Sequence, residues 1–346
     1  MQMAPRDSCG QRSSGATSEV SRIAVLGAGA WGTALAAVLA TRHEVRLWAR
    51  DPSQAEAIAR DRRNRRYLPE VPLPGSLAVG ADARAALEGA ELALVATSVA
   101  GLRDTLGRTG AVPAVWLCKG FEAGSGLMPH QVAQQVLGAG VPSGALSGPS
   151  FALEVARGLP CALTLASHDA NFARAAAALV HGRRLRVYYG TDLVGVEVGG
   201  AVKNVMALAV GISDGLGLGQ NTRAALITRG LAEIARLGAS LGAQPETLMG
   251  LAGAGDLILT ATGDLSRNRR VGLELAKGRS IDEVLAGLGH VAEGVRTAAE
   301  VAKLARSRGV EMPITETVVQ VLAGALSPQQ AVERLLARDA KAEGAA

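Results

Sequence analysis

In the stretch Val198 to Ile212, VGGAVKNVMALAVGI, one lysine and one asparagine interrupt an otherwise apolar run. Ala, Met, Leu and Val dominate it, so it reads as a helix apolar on all sides, and such helices lie in protein interiors. A buried ammonium without a partner is costly, so lysine rarely occupies such a site without a reason. Burial lowers a lysine pKa toward neutrality, which fits Lys203 for proton exchange near pH 7. The plain alternative is a lysine that snorkels to the surface or pairs with Glu197.

A second stretch reads Ile23-Ala-Val-Leu-Gly27-Ala-Gly29-Ala-Trp-Gly32-Thr, a strand entering G-x-G-x-x-G and then a helix. Gly27, Gly29 and Gly32 permit a tight turn, close approach to a pyrophosphate, and tight helix–strand packing. The helix N-terminus offers unpaired N–H groups and partial positive charge to the phosphates. A glycine turn without ligand is the weaker reading in this context. The next strand ends Leu47-Trp48-Ala49-Arg50-Asp51. Sites specific for NAD carry an acid there, on the ribose hydroxyls. Ala49 stands in that place and Arg50 follows, suited to a 2′-phosphate. NADPH is therefore the favoured cofactor, and Asp51 keeps NADH open. A solvated helix-start pair is the bland reading of Arg50 and Asp51.

Other polar residues offer partners. Lys119 ends a strand, where open α/β sheets gather ligands. Gly148-Pro149-Ser150 is a turn with a backbone N–H and a hydroxyl. Asp256, in GAGDL, is expected to hold Lys203 or a substrate hydroxyl, or else to cap a helix. Ser266-Arg267-Asn268-Arg269-Arg270 gathers hydroxyl, guanidinium and amide donors in one turn, a phosphate cradle unless it simply faces solvent. The arginines between Arg60 and Arg66 read as a solvated helix face, and the scattered histidines support no metal.

These residues need a scaffold. Strand-like runs at Ile23–Leu26, Val45–Trp48, Leu92–Thr97, Val115–Cys118 and Ala145–Ser147 alternate with helical stretches around Thr33–Ala40, Gln54–Arg60 and Ala83–Glu88. That alternation predicts an α/β fold with a doubly wound parallel sheet of Rossmann type. Runs at Cys161–Ala166 and Leu185–Tyr189 would extend the sheet. Ala/Leu-rich helical patterns then continue to the end. The expected organisation is a disordered extension over 1–21, a dinucleotide-binding domain over 22–198, and an all-helical substrate domain over 199–340. The lysine-bearing helix forms the joint.

Composition narrows the function classes. The chain has 346 residues, 48% hydrophobic and 19% charged, with 3% aromatic and a net charge of +5. It is globular, and the mild positive excess suits an anionic small molecule but is too scattered for nucleic acid. Cys9, Cys118 and Cys161 have neither disulfide nor metal spacing and fit a reducing cytoplasm. No uninterrupted apolar run reaches the roughly 18 residues of a membrane span, and the first residues carry no signal-peptide core.

The chain resembles the bacterial NAD(P)-dependent sn-glycerol-3-phosphate dehydrogenases, from Ile23 to about Ala337. The motifs that carry the likeness are GAGAWGTALA at Gly27, KGFE at Lys119, LSGPSFALEVARGLP at Leu146, GVEVGGAVKNVMALAVGISDGLGLGQNTRAALITRGLAE at Gly195, GLAGAGDLILTATGDLSRNRRVG at Gly250 and VAEGVRTAAEV at Val291. The resemblance implies reversible reduction of dihydroxyacetone phosphate to sn-glycerol 3-phosphate, feeding phospholipid synthesis, with Lys203 as catalytic acid/base. It implies substrate contacts from Lys119, Gly148, Ser150, Lys203, Asp256, Ser266, Arg267 and Asn268. Its cofactor contacts are Ala30, Trp31, Arg50, Lys119, Ala152, Arg267, Val291 and Glu293, beside the loop glycines. Ala30 stands where the family often has serine, leaving only backbone contact there, and the family's cysteine after Asp256 appears as Ala261, with no role assigned. A homodimer is compatible with this reading.

Two other readings remain at this stage. A β-hydroxyacid dehydrogenase has a similar plan, but pairs its lysine with an asparagine one turn later, where this chain has Ala207. A redox-sensing protein that only binds the dinucleotide would need none of the lysine, acid and basic-turn set.

Overall fold

A β1 strand (Arg22–Leu26) lies inside an eight-stranded sheet ordered β3-β2-β1-β4-β5-β6-β7-β8. The structure, a computed structural model, describes residues 20–288 and 292–338. The other strands are β2 (Glu44–Trp48), β3 (Ala78–Gly80), β4 (Leu92–Val95), β5 (Ala114–Trp116), β6 (Ser143–Ser147), β7 (Cys161–Ala166) and β8 (Leu185–Gly190). Helices of the sheet region are α1 (Ala30–Leu39), α2 (Pro52–Asp61), α3 (Ala83–Leu87), α4 (Val99–Thr109), α5 (Pro129–Leu137), α6 (Ala152–Ala156) and α7 (Ala170–Val180). Then come α8 (Leu193–Gly215), α9 (Gly219–Ser240), α10 (Pro245–Met249), a π-helical turn (Leu251–Gly255), α11 (Asp256–Thr262), α12 (Arg267–Ala276), α13 (Ile281–Leu288), α14 (Glu293–Ser307), α15 (Pro313–Leu322) and α16 (Pro328–Leu336).

The central strands are apolar at nearly every position because helices cover both faces of the sheet. All four residues of β4 are buried, and separate apolar clusters fill the two sides. From β1 the chain winds outward to β2 and β3, then crosses to β4 on the other side. This reversal opens a crevice beyond the carboxyl ends of β1 and β4, where ligands gather in such sheets. The glycine loop leaves β1 there.

The expected strands are present, with β4 and β5 ending earlier than the apolar runs do, and β3 joins as a short edge strand that its sequence did not announce. One departure is in direction. β7 runs antiparallel to β6, pairing Ala145 with Ala166 and Ser147 with Thr164, so the sheet is mixed. The connection after β6 carries α6, whose Ala152, Leu153 and Ala156 pack beside Ala34 of α1 and do not form a covering crossover. The chain therefore re-enters the sheet from the edge it left.

The final helices wrap α8, whose buried residues run almost unbroken from Leu193 to Ser213. By length and composition α8 is apolar enough to cross a membrane, which corrects the expectation from uninterrupted runs, but 94% of its most apolar window is buried inside the protein. The boundary expected near Gly199 falls within this helix, which begins against the sheet and ends among the helices. At the other end, the expected extension over 1–21 lies outside the described residues up to 19. Ser21 itself is buried and donates to Glu91 Oε2 at 3.1 Å, so it belongs to the fold. The arginine run lies mostly beyond α2: Arg60 and Arg65 pair with Asp61, and Arg62 donates to the carbonyl of Leu77, so it forms a turn and not a helix face.

Candidate active site

The lysine of α8 is buried and has a partner. Lys203 Nζ donates to Asp256 Oδ1 at 2.5 Å and to Thr260 Oγ1 at 2.9 Å. Asp256 is 1% exposed and opens α11, and Thr260 lies one turn further along the same face. The other carboxylate oxygen, Oδ2, accepts from Lys119 Nζ at 2.5 Å. Lys119 follows β5 and also donates to the Gly148 carbonyl at 3.3 Å. Neither alternative for Lys203 holds, since it reaches no surface and Glu197 is engaged elsewhere, by His130 and Trp116.

One carboxylate thus holds two ammonium groups in an enclosed setting. The cluster carries excess positive charge, well placed for a phosphate or a developing alkoxide. Burial pushes Lys203 down to about 8, against the opposing pull of Asp256 and with help from the Lys119 charge. Glu293, at the start of α14, is shifted upward by burial while Arg267, Lys119 and Lys203 hold it back. The Gly294 N–H donates to Asn268 Oδ1 at 3.0 Å, so the start of α14, which carries Glu293, meets the start of α12, which carries Arg267.

The Gly148–Ser150 turn sits at the same edge because β6 ends there. Gly148 has φ +137°, and a side chain would press on Ala162 and Leu163 of β7. Ser150 Oγ donates to the Gly148 carbonyl at 3.0 Å, so this carbonyl accepts from both Ser150 and Lys119. The basic turn divides by role. Ser266 caps α12 by accepting from the Arg269 N–H, and Arg269 pairs with Asp214 and Asp264. Asn268 is buried, donating to Asn204 Oδ1 at 2.9 Å and accepting from the Gly294 N–H at 3.0 Å. Arg267 is exposed. The turn is neither wholly a cradle nor wholly solvated.

The glycine loop fits a dinucleotide. Gly27 has φ +124°, and a Cβ there would come within 2.8 Å of the Ala96 backbone. A Cβ on Gly32 would collide with the Gly27 carbonyl, so helix and loop touch. A Cβ on Gly29 would meet open space, and Gly29 starts α1 with no side-chain cap on its N–H groups. Ala30, Trp31 and Ala152 meet around one small apolar cluster, which joins three expected cofactor positions. Arg50 is exposed just past β2, and Asp51 caps α2 by accepting from the Ser53 N–H. Val291 lies outside the described residues.

Thr260 escaped the sequence reading, and Asn204 was seen there only as an interruption of the apolar run, with no role. The four-residue spacing from Asp256 was available for Thr260, and adjacency to Lys203 for Asn204. Gln54 and Asn64 also escaped it. Both donate to the Ala28 carbonyl, at 3.0 and 2.9 Å, and so secure the glycine loop from behind.

Comparison with known proteins agrees with this geometry. A family model described as NAD-dependent glycerol-3-phosphate dehydrogenase N-terminus matches residues 22–173, and its C-terminal counterpart matches 192–333. The chain belongs to the NAD-dependent glycerol-3-phosphate dehydrogenase family. A glycerol-3-phosphate dehydrogenase [NAD(P)+] of Dechloromonas aromatica is 59% identical over 93% of this chain and 99% of its own. One from Methylibium petroleiphilum is 60% identical over 93% and 98%. The crystal structure of the glycerol-3-phosphate dehydrogenase from Coxiella burnetii superposes with a TM-score of 0.88 at 43% identity, covering 92% of this chain and 99% of that one. Membership makes the protein an NAD(P)-linked oxidoreductase acting on glycerol 3-phosphate.

Proposed function

We propose that the chain works mainly as a dihydroxyacetone phosphate reductase, reversibly, with Lys203 as general acid and base. The observation that carries this is the Lys203 ammonium, 6% exposed, held at 2.5 Å by Asp256 and brought down to about 8. A bound nicotinamide supplies or accepts the hydride. Lys203 stabilises the oxyanion that forms on the carbonyl oxygen and then gives it a proton from Nζ. In the oxidation the neutral amine takes that proton back. Asp256 aims the ammonium, and Thr260 fixes its remaining direction. Lys119 shares the carboxylate from the sheet side and places a second ammonium beside the substrate. Arg267 takes the phosphate of the substrate, that of the cofactor, or both, and Asn268 and Ser150 orient the ligand. Gly148 contributes backbone, and Ser266 acts by holding the start of α12.

NADPH is the preferred reductant on this reading. Ala49 is buried where an acid would bind the ribose, Arg50 is exposed beside it, and Asp51 is committed to its cap. Trp31, Ala30 and Ala152 frame the dinucleotide, with Glu293 at its inner end. The reaction supplies glycerol phosphate to phospholipid synthesis in the cytoplasm, a compartment in keeping with the free thiols of Cys118 and Cys161. Single-turnover oxidation of NADPH by dihydroxyacetone phosphate tests the proposal, comparing the protein with Lys203→Ala. Equal rates would overturn the role of Lys203.

A further inference from the structure

Glu197 lies six residues before Lys203 on α8, and the proposed chemistry does not use it. Glu197 is 7% exposed, and its carboxylate receives three donors. These are Trp116 Nε1 of β5 at 2.9 Å, the His130 backbone N–H at 2.8 Å, and His130 Nδ1, near the start of α5, at 2.5 Å. Burying such a pair gains little stability over an apolar contact of the same shape, because desolvation offsets the attraction. Its distinct contribution is direction: three donors from two elements accept only one placement of the carboxylate.

The next turn of α8 shows why placement matters. A Cβ on Gly199 would lie 2.6 Å from the Ala252 carbonyl oxygen in the π-helical turn leading to Asp256. A Cβ on Gly200 would lie 3.1 Å from Ser147 Oγ and 3.3 Å from Lys119 Cγ. The helix therefore passes between the two structures that present Lys119 and Asp256. The glycines let it come close, but they have no side chain with which to hold rotation or slide. Glu197 stands one turn earlier, on the sheet side, where a polar pin can do so.

The geometry points to Glu197 as a positioning residue for the reaction: with His130 and Trp116 it fixes the rotation and axial register of α8, so that Lys203 meets Asp256 and the reacting carbonyl. This rests on Lys203 being the proton donor. Glu197 is pushed upward by burial and held back by His130 and Trp116, and the neighbouring thiol of Cys118 is kept protonated by its own burial. Around Lys203 the charged groups are Asp256, Lys119 and Glu293.

Two variants test it. Glu197→Gln keeps the shape and removes the charge, and His130→Ala removes the ring while leaving the backbone donor and Trp116 in place. Each should lower kcat about ten- to hundredfold, the penalty of displacing a catalytic group by a fraction of an ångström to an ångström. The KM for dihydroxyacetone phosphate should stay within about threefold on the same argument. In both, the pH at which reduction fails should move down, because a displaced Lys203 loses the Asp256 contact that supports its proton. His130→Ala separates this from a direct field effect. An imidazole ring is neutral or positive, so deleting it takes away no negative charge, and its direct field effect could only hold or raise the Lys203 midpoint. Native kcat and midpoint in His130→Ala, even with a lowered melting temperature, would overturn the inference, and that variant decides if Glu197→Gln does not fold. Turnover surviving in Lys203→Ala would instead overturn the role of Lys203 itself.

Discussion

Lys203 and Asp256, 53 residues apart in sequence, meet at 2.5 Å between Nζ and Oδ1 in the interior of the protein. The contact joins α8 to α11 and is one half of a bridge, since the same carboxylate holds Lys119 from the sheet. Both ammonium groups are therefore held by a single side chain.

Replacing Lys203 by alanine should lower the rate at least ~10²-fold, through loss of the donor and of the oxyanion partner. NADPH binding, followed by fluorescence titration, should stay nearly unchanged. In the unaltered protein the two directions should respond oppositely to pH. Reduction needs the ammonium and should fall as pH rises through about 8, whereas oxidation needs the amine and should rise there. Parallel profiles in both directions would remove Lys203 from the proton step.

Asp256→Asn keeps the size of the side chain and removes its charge. Asp256 raises the Lys203 pKa against burial, so its loss should carry the reduction midpoint below about 8. Two ammonium groups would also face each other without a counter-charge, which lowers stability. Rates measured at pH 6.5 and 8.5 check the sign: the defect should be greater at the higher pH. A defect equal at both would leave Asp256 with a structural role alone.

Arg50→Asp should shift preference from NADPH toward NADH, because an acid repels a 2′-phosphate and accepts from a free ribose hydroxyl. The ratio of kcat/KM for the two cofactors measures it. No movement in that ratio would place Arg50 away from the ribose.

Glu233 offers a test of stability remote from the chemistry. It is buried on α9 and accepts from the N–H groups of Ile314 and Thr315 at the start of α15, yet burial outweighs those donors and lifts its pKa to about 7. A raised folded pKa favours the protonated form. The stability it confers is fully present below about 4.5, the ordinary carboxyl value, and is lost as pH rises through about 7. Glu233→Gln cannot ionise, so the melting temperature of the native protein relative to this variant should fall between pH 5 and pH 8. A constant difference would show that the donors keep Glu233 ionised throughout.

The parts of this molecule legible in the sequence are those in which local pattern and chemistry coincide. Lys203 stands out because its surroundings are apolar, and the glycine loop because strand, turn and helix follow in order. The direction of β7 could not be read, because Cys161–Ala166 looks the same in either orientation. The packing of α6 on α1, a tertiary contact, reverses it. Glu197 was open to pairing with Lys203, but six residues at 3.6 per turn put the two on different sides of α8. Its partner His130 is 67 residues away. The basic turn gave the right residue types without their division of labour, which depends on Asp214 and Asn204 arriving from α8.

That division leaves Arg267 as the exposed guanidinium best placed to recognise a phosphate, since Arg269 is bound to Asp214 and Asp264. The charge of Arg267 also helps to hold back the upward shift of Glu293. Lysine in its place would keep the charge but lose the planar fork of donors, so the change is not conservative at a bidentate contact. Arg267→Lys should raise the KM for dihydroxyacetone phosphate in a folded protein. Hydrogen bonds to charged groups are worth roughly 1.5–3 kcal/mol, so losing one implies about a ten- to hundredfold drop in kcat/KM. Dihydroxyacetone, which lacks the phosphate, is the control. Its poor turnover should hardly change if Arg267 acts on the substrate phosphate alone, and should fall in parallel if Arg267 mainly holds the cofactor. Unchanged KM values for both dihydroxyacetone phosphate and NADPH would mean that Arg267 faces only solvent.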